Sequence, residues 1–231
     1  MTAPALVCPP AELGALDLYD QALIRAAAGA AGQLVLRDAT GRETRVDAVD
    51  WCRDHRPGDT GLLDRCSGAT LDVGCGPGRL TGALLLRGRA ALGVDVSAVA
   101  VRMARARGAS ALRRDVFAPL PGHGRWQHLL LADGNLGIGG DPVALLRRCR
   151  ELIARRGQVH AEVEPPGTGS WAGVATLHAA SLGSGTDGVG APLRWARVAA
   201  DDLESLARTA GLRIRAAWNE EGRWFATLTA A

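Results

Sequence analysis

The sequence predicts an α/β protein with a seven-stranded, mostly parallel, doubly wound sheet, an antiparallel C-terminal hairpin and a small N-terminal helical cap. Three observations predict this class. Short apolar runs alternate with helical patterns from residue 68 onward, which is the rhythm of βαβ units. A glycine-rich bend separates the first such run from its helix. The chain ends in two extended runs joined at Glu221-Gly222, a pair typical of a tight turn.

Residues 1–67 are predicted to form the N-terminal cap segment. Apolar residues recur at helical spacing over residues 11–31, and Gly32 can end that helix. Two short extended pieces then flank a turn at Thr40-Gly41, and a short helix is predicted within residues 57–66.

Residues 68–231 are predicted to form the main domain. Its strands are expected in ATLDVG (69–74), AALGVDVS (90–97), ALRRDVF (111–117), HLLLAD (128–133), QVHAEVEP (158–165), RIRAAWNE (213–220) and GRWFATLTA (222–230). Helices are expected between them at 78–88, 98–108, 141–157 and 201–212.

The regular alternation breaks after Pro165-Pro166. Residues 167–192 are rich in Gly, Ser and Thr, and we predict a lid-like insertion over about residues 167–198. Trp171, His178 and Trp195 are candidate wall residues of a pocket beneath it. His178 lies in VATLHAAS, a stretch with a helical pattern.

Composition restricts the function classes. The 231 residues are 47% hydrophobic and 22% charged, which predicts a packed core. All 27 basic residues are arginine, and the net charge is only +3. These arginines are scattered or lie at helical spacing, which is typical of solvated helix faces and disfavours a nucleic-acid groove.

The cysteines indicate reduced thiols in the cytoplasm. There are five, an odd number without any CxxC pair, and Cys52 with His55 forms a lone CxxH. No metal site is therefore predicted. The sequence also has no signal-peptide pattern and no apolar run long enough for a membrane helix, so no membrane association is predicted.

The stretch LDVGCGPGRL (71–80) carries most of the functional signal. Gly74, Gly76 and Gly78 follow a buried strand and precede a helix, an arrangement that brings backbone amides close to a ligand. A dinucleotide fold would require a third glycine where Arg79 stands, so the pattern is GxGxG and not GxGxxG.

With Asp72 two residues before Gly74, LDVGCGPGR (71–79) resembles motif I of the class I S-adenosylmethionine-dependent methyltransferases. The resemblance implies their Rossmann-like fold and S-adenosylmethionine as the cofactor. It implies that the bend at Gly74, Cys75, Gly76 and Gly78 receives the methionine end, with support from Asp72. Arg79 is either a neighbour of the methionine carboxylate or a solvated helix residue. Tyr19 is either a contact of the methionine end or a core aromatic of the cap helix.

Later landmarks follow the family's order. Asp95, with Val96 beside it, ends the second strand, where the family's acid accepts hydrogen bonds from the ribose hydroxyls. Asp115 follows the third strand, where the family's acid binds the adenine amino group and its neighbour, here Val116, supplies apolar or backbone contact. Asp133 ends the fourth strand, where motif IV faces the sulfonium and methyl. Such a site lies at the carboxyl ends of the strands.

Methyl transfer is an in-line displacement on an activated carbon, so positioning can carry much of the rate. A base is needed only where the acceptor must first lose a proton. Asp133 and Asn135 are candidates to orient the acceptor. His178 is either a base or a structural residue.

The nucleic-acid amino-methylase pattern [DNS]PP[YFW] is missing after the fourth strand, where the chain has ADGNLG. A small-molecule acceptor, perhaps of secondary metabolism, is therefore favoured. The alternatives are an RNA or protein methyltransferase and a non-catalytic adenosylmethionine-binding protein. A nicotinamide oxidoreductase is disfavoured by Arg79 and by the lack of a Tyr/Lys or His relay pair. The sequence predicts neither the acceptor nor the oligomeric state.

Overall fold

The structure is a computed structural model that describes residues 10–180 and 190–231. Its α-helices are α1 (Leu13–Ala27), α2 (Ala48–Cys52), α3 (Asp59–Asp64), α4 (Arg79–Leu86), α5 (Ala98–Ala106), α6 (Pro142–Leu152) and α7 (Leu203–Thr209). Its strands are β1 (Gln33–Arg37), β2 (Glu43–Asp47), β3 (Thr70–Val73), β4 (Ala91–Asp95), β5 (Ala111–Arg113), β6 (Trp126–Leu131), β7 (Ile153–Val163), β8 (Trp171–Ala179), β9 (Ala191–Arg197), β10 (Leu212–Glu220) and β11 (Arg223–Ala230). Two 3-10 segments lie at Pro10–Glu12 and Asn135–Gly140.

Seven strands form the main sheet in the order β10-β11-β7-β6-β3-β4-β5. The pairs from β7 to β5 are parallel, whereas β11 is antiparallel to both β7 and β10. The order reverses between β3 and β6, because the chain builds outward to β5 and then returns to the other side of β3. This sheet confirms the predicted α/β class and the predicted C-terminal hairpin.

Helices cover both faces of this sheet. Leu129 and Leu131 of β6 point into a cluster with α6 and α7, while Leu130 between them joins a cluster with α3 and α4. This alternation is what a strand buried on both faces requires. The three consecutive leucines of HLLLAD are therefore explained by burial of β6 on both faces of the sheet.

A second, four-stranded sheet has the order β2-β1-β8-β9 and is antiparallel throughout. It joins strands from the N-terminal segment to strands from the predicted insertion 167–198. The expected helix around His178 is wrong, because residues 174–179 belong to β8 and pair with both β1 and β9. Residues 181–189 of the insertion and residues 1–9 of the cap lie outside the described residues.

The predicted helix 141–157 is too long. It ends at Leu152, and β7 starts at Ile153, which is buried and pairs with Trp126 of β6. Pairing with a neighbouring strand here outweighs the helix propensity of the Ala-Arg-Arg segment that follows.

Helix α1 joins the two sheets. It packs on the second sheet and on α5 through a buried cluster that includes Leu23, Leu34, Val99 and Leu177. No helix in the described ranges is both long and apolar enough to cross a membrane.

Candidate functional site

A cavity of about 710 Å³ opens at the carboxyl ends of the parallel strands. The glycine bend and the residues after β4, β5 and β6 line one side, and α1 and the second sheet line the other. Its place matches the rule that open α/β sheets bind ligands where the strand order reverses. Its volume is typical of cofactor-sized sites.

The glycine bend is built from left-handed backbone. Gly74, Gly76 and Gly78 have φ values of 68°, 53° and 86°. A side chain at Gly78 would place its Cβ only 2.8 Å from the Cβ of Ala104 on α5. The alternate glycines are therefore required both by the turn itself and by the close approach of the neighbouring helix.

Asp95 reaches across from the end of β4 to this bend. Its Oδ2 accepts from the Gly76 amide at 2.9 Å, and its Oδ1 accepts from the Ser97 amide at 2.8 Å. Burial raises the pKa of Asp95 to about 6. Val96 follows it along the cavity wall. A buried carboxylate at this position can accept hydrogen bonds from a ligand's hydroxyls.

Asp72 and Cys75 support the bend from within. Asp72 is 2% exposed and accepts a 2.7 Å hydrogen bond from the Thr81 hydroxyl, and burial raises its pKa to about 6. Burial also raises the pKa of the Cys75 thiol, so this residue is a packed neutral side chain and not a nucleophile.

Tyr19 of α1 faces the bend from the opposite wall. Its hydroxyl lies 3.2 Å from the point where a Cβ on Gly76 would sit, and its ring packs edge-on against Trp51. Burial raises the pKa of this phenol, so the hydroxyl remains a neutral hydrogen-bonding group at the cavity.

Asp115 and Val116 follow β5 and line the cavity beyond Asp95. The Asp115 carboxylate accepts from the Phe117 amide at 2.9 Å, which fixes the turn. Val116 is buried, and its carbonyl accepts from Arg148 at 2.9 Å. The two residues therefore lie at the cavity wall in a turn that these hydrogen bonds hold.

Asp133 sits after β6 with a φ of 54°, a conformation uncommon for a residue with a side chain. Its amide donates to Glu162 at 2.6 Å. Its carboxylate accepts from Arg56 at 2.6 Å, from Arg223 at 3.2 Å and from Arg79. Three guanidinium groups thus hold this carboxylate in place.

These ion pairs continue to Asp59, which is 1% exposed and accepts from Arg79 and from Arg223 at 2.8 Å. Arg79 is thus a buried structural cation beside the cavity and not a solvated helix residue. Sequence reasoning missed Asp59, Arg56 and Arg223. In the sequence these three residues differ in nothing from the many other charged residues of the chain.

Asn135 lies in the 3-10 segment next to the bend. Its Nδ2 donates to the carbonyls of Val73 and Gly74, both at 2.9 Å. Asn135 therefore ties the segment after β6 to the glycine bend.

The structure does not bring His178 to this cavity. Successive residues of a strand face opposite sides, and Leu177 lines the cavity. His178 lies on the other face of β8, opposite Val35 and near Glu43. Of the other two candidate wall residues, Trp195 lines the cavity, while Trp171 packs into the cluster with α1.

A separate buried cluster holds three potential metal ligands, Cys66, His128 and His160, whose donor atoms lie within 4.8 Å of one another. The His128 Nδ1 and His160 Nε2 atoms are 3.0 Å apart, with ring centroids 5.3 Å apart and planes at 19°. The centroid separation equals the nitrogen separation plus one ring radius at each end, so one N–H points straight at the other lone pair. Two ring nitrogens that face each other along one line do not converge on a common metal ion. The arrangement instead fits a chain of hydrogen bonds, in which the His160 Nδ1 atom lies 2.9 Å from the Thr227 hydroxyl.

Comparison with known proteins agrees with this geometry. Residues 70–157 match a family model described as a methyltransferase domain. No curated protein sequence matches the chain.

Among solved structures, the chain is similar to a SAM-dependent methyltransferase from Bacteroides fragilis in complex with S-adenosyl-L-homocysteine, at 19% identity and a TM-score of 0.75, covering 97% of this chain and 98% of that one. It is similar to the Burkholderia thailandensis 1,6-didemethyltoxoflavin-N1-methyltransferase, at 17% identity and a TM-score of 0.63, covering 100% and 93%. It is also similar to the glycopeptide N-methyltransferase MtfA, at 16% identity and a TM-score of 0.54, covering 75% and 86%.

The family match spans the glycine bend and the strand ends that carry Asp95, Asp115 and Asp133, and the sheet around them has the same fold as these enzymes. Residues 70–157 therefore match a methyltransferase domain, and the chain shares the fold of S-adenosylmethionine-dependent methyltransferases.

Proposed function

We propose that this cavity binds S-adenosylmethionine and that the enzyme transfers the methyl group to a small-molecule acceptor. The observation that carries the proposal is the pairing of a left-handed glycine bend with the buried carboxylate of Asp95, 2.9 Å from the Gly76 amide, at the wall of the cavity. The backbone of the bend can bind one end of an elongated ligand, and the Asp95 carboxylate can accept hydrogen bonds from the ligand's hydroxyl groups.

The chain's residues divide along the length of the cofactor. Gly74, Gly76 and Tyr19 would hold the methionine end. Asp95 would accept from the ribose hydroxyls, and Asp115 with Val116 would hold the adenine. The bound cofactor supplies an electrophilic methyl group on a sulfonium.

Positioning is the main catalytic contribution that we assign to the chain. The Asp133 carboxylate accepts from three guanidinium groups, so both of its oxygens are already engaged within the protein and are not free to act on an acceptor. It can instead fix the wall that faces the methyl, together with Asn135, which joins that wall to the bend. Held reactants of this kind react with a large entropic advantage.

Two observations support a small acceptor. The cavity lies beneath the second sheet, whose apolar side chains Leu36, Leu177 and Trp195 line it. Two similar structures are named as methyltransferases of 1,6-didemethyltoxoflavin and of a glycopeptide. The division at residues 67 and 68 and a cytoplasmic location stay predictions.

Calorimetric titration with S-adenosylmethionine, S-adenosylhomocysteine and NAD tests the cofactor. We expect binding of the first two and none of NAD. Asp95→Ala should weaken binding by about 1.5–3 kcal/mol, because charge-assisted hydrogen bonds are lost. Asp17→Ala, at an exposed acid of α1, is the matched control. Unchanged affinity in Asp95→Ala would reject the ribose role.

A further inference from the structure

Two buried arginines that line the cavity, Arg79 and Arg197, each have a nitrogen without a hydrogen-bond partner among the described residues, and Arg197 is the one that lies outside the Asp59–Asp133 network. Arg197, the last residue of β9, is 8% exposed and lines the cavity. Its Nη2 donates to Asp38, but its Nη1 is buried and has no partner among the described residues. A buried donor left unsatisfied costs free energy, so such a group on a cavity wall points to a ligand that completes it.

Asp38 cannot supply the missing partner without losing others. Its Oδ1 accepts from the Thr40 amide at 2.8 Å, from the Thr40 hydroxyl and from the Arg42 amide at 3.1 Å. Its Oδ2 accepts from Arg197. These bonds hold Asp38 in the β1–β2 turn, and they fix the guanidinium of Arg197 as well.

Arg197 lies on the acceptor side of the cavity. The strand that carries it packs on the 3-10 segment after Asp133, where the Ala196 carbonyl closely approaches Gly137. The next residue, Val198, accepts from the Glu164 amide at 2.8 Å, beside the end of β7. The residues assigned above to ribose and adenine follow β4 and β5, which lie beyond β6 and β3 in the sheet.

We propose that Arg197 is a specificity-determining residue whose Nη1 donates to an uncharged oxygen, such as a carbonyl, of a flat apolar acceptor. The inference rests on the proposed methyl transfer in this cavity. The apolar body would lie against Leu193 and Trp195, which share the cavity face of β9 with Arg197.

Charge balance favours an uncharged oxygen over a carboxylate. The charge of Arg197 is already matched inside the protein by Asp38, whose side chain is only 3% exposed. A carboxylate placed at Arg197 would share the single positive charge of that guanidinium with Asp38, and incompletely compensated buried charge is costly. A carbonyl satisfies the donor without adding charge.

Three probes with the same indane ring skeleton test the proposal: 1-indanone, indane and indane-1-carboxylate, titrated into protein saturated with S-adenosylhomocysteine. We expect 1-indanone to bind about tenfold or more tighter than either of the others. Arg197→Lys keeps a cation beside Asp38 but has a single nitrogen, so it should abolish the preference. Arg213→Lys, on the exposed face of β10, should keep it.

Affinity for S-adenosylhomocysteine distinguishes a failure of the proposed role of Arg197 from a failure of the proposed function. If wild type and both variants bind it equally but indane binds as tightly as 1-indanone, or no probe binds, the role of Arg197 is overturned while the proposed function stands. Tighter binding of the carboxylate would overturn the choice of an uncharged oxygen. A wild-type protein that ignores S-adenosylhomocysteine would overturn the proposed function itself.

Discussion

The buried ion-pair network beneath the cavity should carry a large part of the stability. Asp59 is 1% exposed and accepts from Arg79, from Arg223 at 2.8 Å and from the Arg56 amide at 2.8 Å. Asp59→Ala would leave Arg79 buried with Asp133 as its one remaining ion-pair partner among the described residues. Removing one partner of a buried pair costs about 3–5 kcal/mol, a large share of the roughly 5–15 kcal/mol that stabilises a typical domain.

Urea unfolding followed by tryptophan fluorescence measures this loss. The matched control is Asp64→Ala, because Asp64 pairs with Arg87 at 2.8 Å but its side chain is 62% exposed. A surface pair contributes about 1 kcal/mol or less. If both variants lost the same free energy of unfolding, or if Asp59→Ala lost less than about 1 kcal/mol, the network would not be stabilising in the way argued.

Two further predictions concern the bend. Gly78→Ala should cost about 1–3 kcal/mol of unfolding free energy, since the residue has a φ of 86° and its Cβ would meet Ala104 at 2.8 Å. The control Gly82→Ala in α4, where a Cβ would have no atom within 4 Å, should be neutral or stabilising. Equal changes of the two variants in urea unfolding would contradict this geometry. Burial raises the pKa of Asp72 to about 6, so the folded state holds this proton more tightly than the unfolded chain does. The stabilisation of the folded state by this bound proton is complete below about pH 4 and is lost as the pH rises through about 6. Asp72→Asn, which cannot ionise, should therefore gain stability relative to wild type over this window, by roughly 2–3 kcal/mol, and a pH-independent difference in urea midpoints would refute the assignment.

Local patterns predicted the main sheet and the order of its landmarks. LDVG can be recognised as a buried strand that enters a turn because the signal, apolar residues followed by a glycine, lies within a few neighbouring positions. Asp95, Asp115 and Asp133 could be placed at one edge because parallel strands end at the same side of a sheet.

The second sheet and the arginine network could not be predicted in this way. Strands β1 and β8 pair across some 140 residues of chain, and nothing local in VATLHA distinguishes an exposed-face strand from a helix. Arg56 and Arg223 meet at Asp133 only after the hairpin β10–β11 has joined the sheet. In a chain with arginines throughout, no spacing singles out these two.

The roof of the cavity has a further consequence for how acceptor choice can change. The strands of the second sheet come from before and after the segment that carries the glycine bend, so the two sides of the cavity are encoded by separate stretches of the gene. Exchange of residues 33–47 together with 171–197 would replace the wall proposed to face the acceptor and leave the glycine bend intact. Exchange of either stretch alone would break the β1–β8 ladder, so new substrate preferences should arise through paired changes in both.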